Sequence, residues 1–280
     1  MALLNSFATG VSAVKTFGKS LEVIGDNVAN VNTTGFKGSR VTNQDNFSDT
    51  LQYATPANGN IAGKNAMQFG QGSSIASVSQ SFTQGALSTT GGPADLGISG
   101  KGFFKVQNPA TQEFFYTRAG DFRLDDAGNM LTNNGLNVMM AAGPVIIPPK
   151  NVTNDDLQSY KVDKNGEVAA YYANGTGSIP IGQILLTTFA NPNALERMSQ
   201  NILRNPGGEA GGVGAAGATA ATAATATLAG DIVQGSLELS NVDLTQQFSD
   251  LIVAQRAFQA GSRIITVSDS ILEEAVNLKR

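Results

Sequence analysis

The sequence predicts an α+β protein: N- and C-terminal helices form a coiled-coil-like helical domain, and a central all-β domain lies between them. Two observations carry this. Apolar residues recur every seven positions at both ends, and the middle consists of short apolar runs separated by Gly, Asn and Asp turns. A third bounds it: 280 residues, 41% of them hydrophobic, suffice for a sizeable core.

At the N-terminus Phe7, Val14, Leu21 and Val28 repeat every seven residues, with Leu4 and Val11 supplying the alternate spacing of three and four. Gly18 and Gly25 continue that second series, so either the seam is weakened there or a partner backbone approaches closely. Phe17, Ile24 and Val31 add a further row, so the apolar face is wider than one seam. From Leu4 to Val28 such a helix spans about 37 Å at ~1.5 Å per residue. At the C-terminus Leu244, Leu251, Phe258, Ile265 and Leu272 form a matching row, supported by Phe248 and Val276. Asp243, with Gln246 three residues on, predicts the start of that helix as a variant capping box. Gln255, Ser262 and Asp269 interrupt its second series, which suits burial on one side.

The predicted boundaries follow. Residues 1–35 and 240–280 make the helical domain, 36–74 an extended connector, 75–206 the β domain, and 207–239 a low-complexity loop and return connector. Within the β domain GFFKV, NPAT and EFFYTRA read as a hairpin. FRL and NML flank a turn at Asp125–Gly128, and YKV and EVAAYY flank a turn ending in Asn165-Gly166. GQILLTTFA, residues 182–190, reads as one buried strand. The stretch VIGDNVANVNTTGFKGSR ends the first helix: Asn30, Asn32, Thr33 and Thr34 compete for its backbone hydrogen bonds and Gly35 permits the turn. Asn27, Asn30, Gly35, Phe36 and Lys37 are the candidate junction residues, with Arg40 as a further anchor.

Composition narrows the chemistry. A formal charge of -4 with no basic tract argues against nucleic acid. The absence of Cys, His and Trp removes thiolate and imidazole catalysis and the common zinc, copper and haem ligands. No cofactor, no metal and no enzymatic activity are expected. The acidic pairs Asp125-Asp126, Asp155-Asp156 and Glu273-Glu274 read as solvated turn or helix surface. Ala210 to Gly230 is too rich in Gly and Thr for a membrane span, and the N-terminus lacks the basic and apolar blocks of a cleavable signal. Membrane insertion is not expected. With 14% charged residues and 32 Gly, the chain is built for turns and for protein contacts. An intramolecular helical hairpin accounts for the seams but not for apolar rows on several sides.

Four motifs in series resemble one family. VIGDNVANVNTTGFK is similar to the N-terminal motif of bacterial flagellar axial proteins, the rod and hook subunits. ELSNVDLTQQFSDLIVAQRAFQAGSRIITVSDSILEEAVNLKR resembles their C-terminal signature. DLGISGKGFFKVQNPATQEFFYTRAGDFRLDDAGNMLTNNG and IGQILLTTFANPNALERMSQNILR resemble their β-domain motifs, so the likeness spans nearly the whole chain. Gly25 and the string Ile252 to Arg256 side with the hook subunit, with the distal rod subunit as the alternative. The short span from Ala141 to Tyr171 leaves no room for the outer β domain that many hook proteins carry.

The resemblance implies a structural subunit exported unfolded, without cleavage, through the flagellar type III apparatus. It implies self-assembly into a helical tube whose inner wall is made of terminal helices, in the hook or basal body. The expected partners are further copies and other axial proteins of the rod, hook cap and hook–filament junction. Leu4, Phe7, Val11, Val14, Leu21, Val28, Leu244, Phe248, Leu251, Phe258, Ile265 and Leu272 are the expected self-assembly seam.

Overall fold

The computed structural model describes residues 2–56, 63–140, 143–150, 156–173, 178–206, 222–223 and 230–278, with backbone only for 2–4 and 222–223. The low-complexity stretch expected at 207–229 and the side chains of Leu4 and Asp155 therefore lie outside the described residues, Thr222–Ala223 apart. The chain forms two compact units, the first from 1–29, 39–81 and 243–280 and the second from 30–38 and 82–242.

The first unit holds two helices, α1 (Ala2–Ala29) and α2 (Leu244–Asn277). The Asp243 carboxylate caps α2 by accepting from the Thr245 and Gln246 amides at 2.8 and 3.4 Å. Only half of a capping box forms, because the Gln246 side chain turns forward to donate to Asp250 instead. The helices run antiparallel. Ser6 lies 3.5 Å from Ser268, a Cβ at Gly10 would meet Ile265, one at Gly18 would meet Phe258, and Asn27 donates to Gln247 at 2.9 Å.

The expected connector is a ribbon. Its strands are β1 (Ser39–Asp45), β2 (Ser48–Gln52), β3 (Met67–Gly70) and β4 (Ser73–Gln80). β1 pairs with β4 and β2 with β3, both antiparallel, and Thr55 and Lys64 exchange a further bridge. Backbone pairing holds this ribbon while both faces stay polar over much of its length, so no alternation of apolar residues announces it. The ribbon docks on α1, where Thr16 Oγ1 donates to the Ser73 carbonyl at 3.2 Å. Since β4 belongs here, the β domain begins at residue 82 and not at 75.

Every strand pairing among the described residues of the second unit is antiparallel. Its largest sheet runs Glu196–Arg197, Ile202–Arg204, Phe114–Thr117, Phe103–Gln107, Asn137–Met140, Met130–Thr132, Phe122–Leu124. All three predicted hairpins form, the first in the register Val106 to Phe115 and the third with Gly166 at a φ of 81°. The single strand expected at 182–190 divides. Ser178–Gln183 completes a three-stranded sheet with Leu157–Val162 and Glu167–Tyr172, and Leu185–Thr187 pairs with Phe103–Gln107 in the large sheet. Residues expected to be a bare return connector also pair: Asp231–Gln234 with Leu96–Ser99 and Ser236–Glu238 with Leu87–Thr89.

Alternation along Phe103–Gln107 feeds two cores. Phe104 and Val106 point into the main cluster with Leu96, Ile98, Val138 and Ile184, while Phe103 joins Tyr116, Phe189, Leu195 and Leu203. In the smaller cluster the Phe189 ring meets Tyr116 and Phe103 edge-on at 4.8 and 5.6 Å. Replacing Phe104 by Ala should cost roughly 3–5 kcal/mol by leaving a cavity that the sheets cannot close, measured as a lower denaturation midpoint for the β unit.

Candidate functional site: the junction segments and the helix faces

Chain enters the second unit through 30–38 and leaves it through 236–242, and these segments meet at one buried carboxylate. Glu238 is 1% exposed. Lys37 Nζ donates to its Oε1 at 2.6 Å and the Gly85 amide does so at 2.9 Å, while Arg118 Nη1 donates to Oε2 at 3.1 Å. Lys37 also donates to the Thr83 carbonyl at 2.8 Å, and Arg118 Nη2 to the Gly100 carbonyl at 2.9 Å. Arg118 Nε is buried without a hydrogen-bond partner among the described residues. Two cations thus share one anion in the interior.

Around this triad the five predicted junction residues take distinct parts. Asn30 starts the turn that ends α1, its carbonyl accepting from the Thr33 amide at 3.1 Å. Gly35 has a φ of 66°, and a Cβ there would stand 2.5 Å from the Ala119 nitrogen, so only glycine fits. Its amide donates to the Glu238 carbonyl at 2.8 Å. Phe36 is buried under the Arg197 guanidinium, 4.7 Å from the ring centre. Asn27 belongs to the first unit, where its side-chain amide both donates to and accepts from the Ser39 backbone at 2.8 Å and so fixes the start of β1. Arg40, expected as an anchor, is exposed on β1. Glu238, Arg118, Thr83 and Gln247 are the residues that sequence reasoning missed. Asn241 accepts from the Gly38 amide at 2.8 Å.

The helix faces differ from the expected seam in register. Against α1, α2 buries Ala254, Gly261 and Ser268, which are small residues seven apart, and Gln247 continues their row. The partner series to Leu251, Phe258, Ile265 and Leu272 is therefore this one and not Phe248, Gln255, Ser262 and Asp269. Small side chains let the backbones close: a Cβ at Gly261 would sit 3.1 Å from Val14. Leu251, Phe258, Ile265 and Leu272 are half-buried along its edge, as are Val11, Val14, Leu21 and Val28 on α1. Phe7, Leu244 and Phe248 are exposed. Further apolar side chains stand in solvent, including Val253 at 64% and Val267 at 57% on α2 and Phe47 at 94% beside β2. No helix among the described residues is long and apolar enough to cross a membrane.

Residues 7–37 match the family "Flagella basal body rod protein", residues 97–170 the "Flagellar hook protein FlgE/F/G D1 domain", and residues 233–278 the "Flagellar basal body rod FlgEFG protein C-terminal". The chain is 40% identical over 281 residues to the flagellar basal-body rod protein FlgG of Bacillus subtilis, covering 99% of this chain and 100% of that one. It belongs to the flagellar axial proteins, the family of rod and hook subunits. The FlgG of Borreliella burgdorferi is 31% identical over 279 residues, with 99% and 100% covered. The hook protein FlgE of Treponema pallidum is 24% identical, and its alignment stretches over 475 residues with 99% of this chain and 100% of the relative covered. The three family matches each hold one member of the buried triad, Lys37, Arg118 and Glu238, whereas β1 to β4 fall outside all of them.

Replacing Glu238 by Gln leaves two buried cations without a counter-charge and should cost about 3–5 kcal/mol in denaturant unfolding. The same change at Glu196, half-exposed beside Arg204, should cost less than about 1 kcal/mol. Burial holds the Lys37 ammonium below its ordinary 10.5; Glu238 opposes that shift and Arg118 adds to it. The folded chain therefore binds this proton less tightly than the unfolded chain. The contribution of Lys37 to stability should grow as pH climbs from its folded value toward 10.5. The difference in unfolding midpoint between wild type and Lys37→Met, followed from neutral to about pH 10, should shift in favour of wild type; a shift in favour of the variant would show that the cation is stabilised.

Proposed function

We propose that this chain is a distal rod subunit of the flagellar basal body. It is a structural, non-enzymatic protein that polymerises with copies of itself and with neighbouring axial proteins into a tube. The observation that carries the reading is similarity to rod proteins over the full length, 40% for the Bacillus subtilis relative, without the long insertions that the hook relative needs to align. Gly25 and Ile252 to Arg256, the residues that side with the hook, are a handful of positions against that whole-chain match.

The helical pair supplies the assembly surface. Its spacing of three and four supports a coiled-coil-like inner wall, and the apolar side chains left in solvent on α1 and α2 find partners in neighbouring subunits. A contact between different faces of successive copies does not close on itself and so produces a helical tube. Export unfolded through the flagellar type III apparatus supplies such subunits one at a time.

Electron microscopy of the purified polymer tests the assignment: straight, rigid tubes are expected, and flexible curved ones would return it to the hook. Leu251→Asp should leave the β unit's melting unchanged while abolishing sedimentable polymer, because a carboxylate in the seam cannot be buried unpaired. Normal tubes from that variant would remove the helical pair from the assembly surface.

A further inference from the structure

A cleft of about 260 Å³ opens on the second unit, and assembly into a tube gives it no task. Residues 30–34 of the entering segment, the turn at 132–134 and the hairpin turn at 197–202 supply most of its walls. Only Ala119 and Ile202 line it with apolar side chains; the rest are amides, hydroxyls, one carboxylate and one guanidinium. An ordinary small-molecule pocket is mostly apolar, so this balance is reversed.

The walls are tied to one another within the chain. Asn201 Nδ2 donates to the Thr34 carbonyl at 2.8 Å, Thr117 Oγ1 donates to the Asn201 carbonyl at 3.1 Å, and the Asn133 side chain donates to the Asp121 carboxylate. Gln200 and Asn201 hold φ angles of 65° and 57°, a left-handed pair without glycine whose cost these contacts must offset. At the rim the exposed side-chain amides of Asn134 and Gln200 have no partner among the described residues. Charge narrows what they can receive. An anion would meet the Asp121 carboxylate, a cation would meet Arg197, and an apolar group would find only Ala119 and Ile202 to cover it. Burial lifts the Asp121 carboxyl above its usual range and Asp95 lifts it further, while its own backbone amide and Asn133 pull it down. A half-buried carboxyl so perturbed inside a cleft accompanies binding sites.

We infer that this cleft binds a neutral saccharide, with the Asn134 and Gln200 amides and the Asp121 carboxylate meeting its hydroxyls. Each amide offers both a donor and an acceptor and the carboxylate offers acceptors, which is the complement of hydroxyls that do both. The site lies within one chain and stands apart from the polymer reading above. No aromatic ring lines the cleft, so a sugar finds no stacking face and the dissociation constant is expected to be on the order of 1 mM.

Saturation-transfer NMR on the full chain, dispersed or assembled, tests the site with glucose, galactose and N-acetylglucosamine, each at about 10 mM. At least one of the three is expected to receive saturation. Asn134→Ala and Gln200→Gly, the second chosen because glycine keeps the left-handed turn, should each weaken that binding about fivefold with an unchanged unfolding midpoint. No transfer to any of the three sugars would overturn the site, and so would equal transfer from both variants. Displacement of the sugar by calcium chloride or by sodium phosphate at matched ionic strength would overturn its neutrality.

Discussion

Glu238 holds together the segments through which the chain enters and leaves the β unit. A buried carboxylate is tolerated only when its lone pairs are fully engaged. Here Lys37, Arg118 and the Gly85 amide engage the side chain, and the Gly35 amide engages the carbonyl of the same residue. The demand propagates outward. Gly35 must approach the Ala119 backbone to reach that carbonyl, which excludes any side chain, and the Phe36 ring then turns inward beneath Arg197. Asn241, three residues past Glu238, receives the Gly38 amide and donates to Thr83, so both ends of the junction are held by one network.

What was legible in the sequence follows from what patterns can encode. The hairpins are announced by turn chemistry, as at Asn165-Gly166, and the helices by apolar rows at seven-residue spacing. The face by which α2 meets α1 is not, because Ala254, Gly261 and Ser268 form no row of large apolar residues and their value is smallness, while Gln247 meets α1 by accepting a hydrogen bond from Asn27. Glu238 is hidden for the opposite reason. In Ser236-Leu237-Glu238-Leu239 alternation would turn the leucines inward and the glutamate out, yet Glu238 is buried and Leu239 exposed. Ion pairing with residues far off in the chain overrides the local pattern, and no local window contains that information. The ribbon β1 to β4 escapes notice because its pairing is carried by backbone groups, which every sequence has.

The two kinds of helix surface divide the work. Small residues bring α1 and α2 close, Ile265 and Phe258 reach α1 at Gly10 and Gly18 along the edge of that contact, and other aliphatic side chains such as Val253 and Val267 stay exposed. The helical pair thus leaves apolar rows in solvent, which agrees with membership of the axial family.

The closure between Lys37 and Glu238 joins residues 201 positions apart. Tying so long a loop costs on the order of 5 kcal/mol in chain entropy, which the triad alone cannot recover before the intervening sheets have formed. The intervening sheets shorten that loop, so the contact between the entering and leaving segments depends on the whole of the β unit folded between them.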